Sequence, residues 1–99
     1  MEIVIFGKTT CVLCKTTKNK VAHIVGKKGL GANVRVNFID MDTEDGLAEA
    51  MFNDVREIPT TVVRSQEKEL KRWVKAVPQT EEILNFLCAA KGAKSAAAR

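Results

Sequence analysis

The chain has 99 residues, of which 45% are hydrophobic and 28% are charged, and its formal net charge is +4. This length suits a single domain, and the composition is typical of a globular protein rather than a disordered one. No apolar run approaches the roughly 20 residues of a membrane-spanning helix, so we expect no membrane association. Few aromatic residues lie among the lysines to stack on bases, which disfavours nucleic-acid binding.

The first element is a short apolar run over residues 2–6 that ends at Gly7. No basic segment precedes it, as would be typical of a signal peptide, so a cytoplasmic location is expected. Because the apolar residues continue without alternation, the run predicts a buried, central β-strand.

A helical pattern follows from about Cys11 to Lys28. The residues at spacings of three and four on one face are Cys14, Thr17, Val21, Ala22, Ile24 and Val25. Lysines fill the other side, and Gly29 and Gly31 are expected to end the helix. His23 lies off the apolar face, so its side chain is expected to be partly exposed.

Residues 34–39 alternate and then become apolar, which predicts a second strand. A second helix is expected from about Thr43 to Asn53, with Asp42 or Thr43 as its N-cap. The apolar residues that share one face of this helix are Leu47, Ala48, Met51 and Phe52. Gly46 weakens the prediction for the first turn.

Two further strands are expected, the third over residues 58–63 and the fourth over residues 70–76, joined by a polar turn over residues 65–69. The third strand begins at a proline, Pro59.

A last helix is expected to start with Thr80 as its cap, to carry two acidic residues in its first turn, and to run to about residue 90. Its inward residues are expected to be Ile83, Leu84, Leu87 and Cys88. Residues 1–90 thus form the predicted domain, and residues 91–99, small and basic without a pattern, form a flexible tail.

The predicted order of elements is β-α-β-α-β-β-α. The strands on either side of the first helix are expected to be parallel, and the two strands joined by the short turn are expected to be antiparallel. The fold class is therefore α/β, with one mixed four-stranded sheet and helices on both faces.

Three cysteines are present, and two of them form the motif Cys11-x-x-Cys14. The odd number and this spacing favour catalytic or metal chemistry over a framework of structural disulfides. Cys11 lies where a loop meets the predicted helix, whose N-terminal N–H groups stabilise a thiolate, the form that attacks disulfides. Lys8 and Lys15 add positive charge there. Cys14, one turn later on the same face, can resolve the mixed disulfide.

A Cys-x-x-Cys pair is also half of a metal site. A structural zinc ion needs four ligands, and the other candidates, Cys88 and His23, lack ligand spacing to each other. Cys88 is expected in the core. We therefore favour a redox pair and assign no metal ligand. A metal or iron–sulfur module, or an interaction module without turnover, is the alternative.

Lys8-x-x-Cys11-x-x-Cys14 before a helix, and Ile58-Pro59-Thr60 before a strand, resemble the thioredoxin/glutaredoxin superfamily over residues 2–90. The resemblance implies the thioredoxin fold, with a cis bond at Pro59 beside the cysteine pair. It implies substrate binding by Lys8, Ile58, Pro59 and Thr60, with the Ile58 backbone pairing to an extended substrate. It also implies a monomeric protein-disulfide reductase without a bound cofactor, in which Cys11 attacks and Cys14 resolves.

The residues point to both branches of this superfamily. Lys8 is similar to the glutaredoxin lysine that holds a glutathione carboxylate, whereas residues 58–61 and 76–84 are similar to small thioredoxins. Val12-Leu13 replaces the usual pair of either branch, and Thr10 stands where thioredoxins have a tryptophan. Glutathione and a thioredoxin reductase therefore both stay open as the electron donor.

Overall fold

The computed structural model describes residues 1–27, 34–65 and 68–91, with side chains as far as residue 86. Within these residues the chain follows the predicted order: β1 (Glu2–Gly7), α1 (Val12–Lys27), β2 (Arg35–Asp40), α2 (Glu44–Phe52), β3 (Thr60–Ser65), β4 (Lys68–Val74) and α3 (Thr80–Lys91). The helix stop predicted at Gly29 and Gly31 lies outside the described residues, as do residues 92–99 of the predicted tail. None of the described helices is long and apolar enough to cross a membrane.

The strands form one mixed sheet in the order β2-β1-β3-β4. β1 is parallel to β2, with Ile3 opposite Val36, and antiparallel to β3, with Ile3 opposite Val63. β3 and β4 are antiparallel. The predictions of a central first strand, a parallel first pair and an antiparallel last pair are therefore confirmed.

Alternate residues of β1 point into two separate cores, one on each face of the sheet. Ile3 and Ile5 join a core formed largely with α1 and α3: Val21, Ile24, Val25, Val34, Val63, Trp73 and Ile83. Val4 and Phe6 join a smaller core with α2 and its flanking segments: Ala50, Val55 and Val62. β1 is apolar without alternation because both of its faces are covered, and the prediction of helices on both faces is confirmed.

The packing of α2 differs from its amphipathic pattern. The large apolar residues of the predicted face are exposed, by 47% at Leu47, 72% at Met51 and 88% at Phe52. Ala48 is exposed as well, and the helix buries Gly46 and Ala50 instead. The smallest residues face the sheet because the backbones approach so closely that a larger side chain does not fit.

Gly46 shows how close this approach is. A Cβ atom added there would lie 1.8 Å from the carbonyl oxygen of Asp40. Thr43 is the N-cap of α2, since its hydroxyl accepts a 2.9 Å hydrogen bond from the Gly46 N–H, and this decides between the two predicted caps. Gly46 is therefore required in the first turn rather than merely tolerated there.

Smaller corrections concern α1 and α3. Ala22 is exposed because a helix turns by about 100° per residue, which places this residue about 60° outside the arc that the buried residues of α1 share. α3 begins at Thr80 itself, since the Gln79 carbonyl accepts the first helical hydrogen bond, from the Ile83 N–H at 3.1 Å. The predicted cap was therefore one residue too late. His23 is exposed and Ile83 is buried, while the side chains of Leu87 and Cys88 lie outside the described part.

Candidate active site

The cysteine pair lies where β1 passes into α1. The loop from Lys8 to Thr10 joins the two elements, and the Cys11 N–H donates a 3.1 Å hydrogen bond back to the Lys8 carbonyl. The Cys11 carbonyl accepts from the Lys15 N–H at 3.1 Å, so Cys11 is the residue directly before the first turn of α1. The predicted position at a loop–helix junction is therefore confirmed.

The two sulfur atoms differ in access and in bonding. Cys14 is fully buried and Cys11 is partly exposed, and both are free thiols. The Cys14 N–H donates a 3.2 Å hydrogen bond to the Cys11 Sγ atom. A substrate can therefore reach the Cys11 sulfur, which accepts one of the otherwise unpaired N–H groups at the start of α1.

The Cys14 thiol is held in its protonated form. Burial raises the pKa of the Cys14 thiol from 9.0 to about 11, and the hydrogen bond with the Cys11 side chain adds to the rise. A hydrogen bond from the Lys8 backbone opposes this rise without cancelling it. At neutral pH Cys14 is therefore a protonated thiol beneath the accessible sulfur.

Gly7 belongs to the site, although the sequence pattern marks it only as the end of a strand. A Cβ atom added to Gly7 would lie 2.6 Å from the Cys14 Sγ and 2.8 Å from the Cys14 Cβ. Only glycine therefore allows the buried sulfur to pack directly against β1. A signal was present in the sequence, since a glycine at the end of a buried strand often marks a close approach of another group.

Pro59 lies at the same end of the sheet as the cysteine pair. Phe6 is opposite Thr60 in the β1–β3 ladder, so Pro59, one residue earlier, is at the level of Gly7. The Ile58–Pro59 peptide bond is cis, which confirms the bond that the resemblance implied. The Pro59 carbonyl accepts a 2.7 Å hydrogen bond from the Lys75 N–H, which ties this turn to the end of β4.

The two neighbours of Pro59 have different surroundings. Thr60 is 1% exposed and its hydroxyl donates to the Glu57 carbonyl, so it helps to fix the turn. Ile58 is half-buried. Within residues 1–27, 34–65 and 68–91 its backbone N–H and carbonyl have no hydrogen-bond partner. They are therefore free to pair with an extended peptide.

Lys8 lies beside an acidic residue in this site. Its Nζ atom is 3.6 Å from the Asp42 Oδ1 atom, and both side chains are about half exposed. An exposed ion pair of this kind contributes little to stability, so Lys8 can exchange Asp42 for another carboxylate. Among the described residues, no group of three or more His, Cys, Asp or Glu side chains is placed to hold a metal ion.

No family model and no curated protein matches this chain, but solved structures do. Thioredoxin 1 from Thermosipho africanus superposes with a TM-score of 0.75 at 20% identity, over 95% of this chain and 99% of the other. This chain has the thioredoxin fold. The germline-specific thioredoxin Deadhead from Drosophila melanogaster is also similar, with a TM-score of 0.66 at 24% identity over 88% of this chain and 77% of its own. The thioredoxin of Fasciola hepatica superposes with a TM-score of 0.68 at 19% identity, over 90% of this chain and 79% of the other.

The thioredoxin fold confirms what the motifs around the cysteines implied about the architecture. At identities below 25% the likeness concerns the fold, and the chemistry has to be argued from the site itself. The site adds a partly exposed cysteine at a helix N-terminus, a buried partner thiol and a cis-proline turn at the same end of the sheet.

Proposed function

We propose that this chain is a thiol–disulfide oxidoreductase that reduces disulfides in proteins, with Cys11 as the nucleophile and Cys14 as the resolving thiol. The observation that carries the proposal is the unequal pair of sulfurs. Cys11 is accessible and accepts a backbone N–H, whereas Cys14 is buried, protonated and one helical turn away.

The reaction is an exchange of disulfides in two steps. The Cys11 thiolate attacks one sulfur of the substrate disulfide, and the other substrate sulfur leaves as a thiolate and takes a proton. Cys14 then loses its proton and attacks the Cys11 sulfur, which releases the second substrate thiolate and leaves a Cys11–Cys14 disulfide. Two electrons have passed to the substrate, and an external thiol must then reduce the Cys11–Cys14 disulfide to restore the enzyme.

The raised pKa of Cys14 gives the two steps their order. A thiol with a pKa of about 11 is a poor nucleophile at neutral pH, because only the thiolate attacks. Cys14 therefore does not compete with Cys11 for the substrate. It reacts once the mixed disulfide on Cys11 places a sulfur electrophile directly beside it, where proximity compensates for a small thiolate fraction.

Two features around the sulfurs fit a peptide substrate. Val12 and Leu13 are 78% and 49% exposed and form an apolar patch between the cysteines. The free N–H and carbonyl of Ile58 offer strand-like hydrogen bonds, a common way for a protein to hold an extended segment. A substrate held in this way would lie across Pro59 towards Cys11.

Serine variants of the two cysteines test the assignment. We expect Cys11→Ser to abolish reduction of insulin disulfides and Cys14→Ser to accumulate a covalent complex with one substrate chain, detected by mass spectrometry under non-reducing conditions. Ala22→Ser, which places the same residue at an exposed position of α1, is the matched control and should retain full activity. Normal turnover by Cys11→Ser would overturn the proposal.

The electron donor, compartment and assembly state belong to the same proposal. We infer a monomer in the cytoplasm, where thiols are kept reduced, with glutathione or a thioredoxin reductase returning the electrons. Reduction assays with each donor separately decide between them. A rate that depends on the reductase and not on glutathione assigns the chain to thioredoxin-type reduction, and the opposite result assigns it to glutaredoxin-type reduction.

A further inference from the structure

Charge is distributed unevenly along this chain. No acidic residue occurs between Glu2 and Asp40, whereas this segment contains most of the lysines that surround the site. Seven of the 12 acidic residues fall within residues 40–57: Asp40, Asp42, Glu44, Asp45, Glu49, Asp54 and Glu57. The segment of residues 3–39, which carries Cys11, is therefore strongly basic.

Two adjoining grooves run beside the first turns of α1. One has a volume of about 150 Å³ and includes Thr9, Cys11 and Lys15 in its wall. The other has a volume of about 170 Å³ and is lined by Lys8, Thr9, Lys15, Lys18 and Phe38. Because the grooves share Thr9 and Lys15, a peptide that leaves Cys11 along the first groove passes into a second groove that contains three lysines and no acid.

The lysines of the second groove differ in how far their charge is compensated. Lys8 lies 3.6 Å from the Asp42 carboxylate. The Lys18 ammonium lies 5.2 Å from the centre of the Phe38 ring, which orients the side chain without neutralising it. Within the described residues neither Lys15 nor Lys18 has a carboxylate at ion-pair distance. Their charges are therefore available to a ligand.

The spacing along α1 sets where a matching acid would lie in a substrate. With a rise of about 1.5 Å per helical residue, Lys15 is roughly 6 Å and Lys18 roughly 10 Å along the axis from Cys11. An extended peptide advances about 3.4 Å per residue. Carboxylates two and three residues from the reacting cysteine would therefore face Lys15 and Lys18.

We propose that the groove of Lys8, Lys15 and Lys18 selects protein disulfides whose cysteine is flanked by acidic residues, with Lys15 and Lys18 contacting the carboxylates two and three positions away. This inference rests on the proposed function and adds the class of substrate to it. The lysines determine specificity and take no part in the exchange of sulfurs.

Three disulfide-linked peptides test the selectivity. They differ only at the two positions that lie two and three residues from the cysteine, which carry Glu, Gln or Lys. We compare the wild type with a Lys15→Glu/Lys18→Glu variant. A Lys27→Glu/Lys68→Glu variant is the control, because it has the same net charge but places the changes at the far end of α1 and at the start of β4.

We expect the wild type to favour the Glu peptide over the Gln peptide by about three- to tenfold in kcat/KM at low ionic strength, the range expected for two exposed ion pairs. The preference should shrink at high salt. The Lys15→Glu/Lys18→Glu variant should favour the Lys peptide, and the control should keep the wild-type order. If both double variants change the ratio equally, the effect is one of net charge and the groove is refuted.

The outcome also separates this inference from the proposed function. Reduction of all three peptides by the wild type at equal rates refutes the selectivity and leaves the dithiol exchange standing. No reduction of any peptide, the neutral Gln peptide included, refutes the proposed function itself.

Discussion

Replacing Gly7 with alanine should disturb the resolving sulfur more than any other part of the site. The new methyl group would lie 2.6 Å from the Cys14 Sγ and 2.8 Å from its Cβ, and the Phe38 ring at 3.4 Å limits movement on another side. Carbon and sulfur atoms in contact normally stay about 3.5–4.0 Å apart. The Cys14 side chain must therefore move away from β1 by roughly 1 Å, and inserting a methyl group into such a packed region typically costs about 1–3 kcal/mol.

The displacement should affect the second step of the exchange in particular. Cys14 can retreat only if the start of α1 moves, and this disturbs the 3.2 Å hydrogen bond from the Cys14 N–H to the Cys11 sulfur. A displacement of about 1 Å between reacting groups can slow a reaction by roughly 100-fold. We expect Gly7→Ala to slow the formation of the mixed disulfide slightly, through this hydrogen bond, and to slow its resolution much more, because the displaced sulfur is the one that attacks in the second step.

Rapid acid quenching followed by mass spectrometry measures both steps in a single turnover, and urea denaturation measures the free energy of unfolding. Gly26→Ala is the matched control, because nothing lies within 4 Å of a Cβ atom at that position of α1. It should stabilise the protein by about 0.5–1 kcal/mol, the usual gain from replacing glycine within a helix. If Gly7→Ala has the same free energy of unfolding and resolves the mixed disulfide at the same rate as the control, then the contact between β1 and the buried sulfur is unimportant.

Four further predictions follow from the same structure. Because burial raises the pKa of Cys14 from 9.0 to about 11, the resolving rate, followed by rapid quenching, should still rise about tenfold per pH unit up to pH 9. A resolving rate that levels off by pH 8 would contradict this expectation. The reduced protein should lose stability as the pH rises from 9.0 towards about 11, because the native state holds the Cys14 proton longer than the unfolded chain, and a free energy of unfolding that stays constant over this range would contradict that. Gly46→Ala should lower the free energy of unfolding, measured by urea denaturation, by at least about 2 kcal/mol, because its Cβ would lie 1.8 Å from the Asp40 backbone oxygen. An unchanged urea midpoint would show that α2 can shift freely. The Phe52 side chain is 88% exposed, so Phe52→Ser should change the free energy of unfolding by less than about 0.5 kcal/mol. Phe6 is fully buried, so Phe6→Ala should lower the free energy of unfolding by about 3–5 kcal/mol. Similar losses for the two variants would indicate that Phe52 is covered.

The sequence alone determined the order of the elements and the place of the cysteine pair, because both depend on local patterns. The uninterrupted apolar run of residues 2–6 favoured a strand covered on both faces, and β1 is such a strand. The helical spacing that begins at Cys11 placed this residue at a helix N-terminus. That position by itself predicts a reactive, accessible thiol with a second thiol one turn later.

Only the tertiary structure decided which side chains the helices bury against the sheet. Periodicity favoured Leu47, Met51 and Phe52 as the packed face of α2, but the distance between the α2 and Asp40 backbones leaves room for Gly46 and Ala50 instead. The role of Gly7 in the site also depends on a second element, because it is Cys14 on α1 that leaves no room for a side chain at Gly7. A residue's periodicity describes its own helix or strand, whereas its burial depends on how closely a second backbone approaches, and the sequence does not contain that distance in any local pattern.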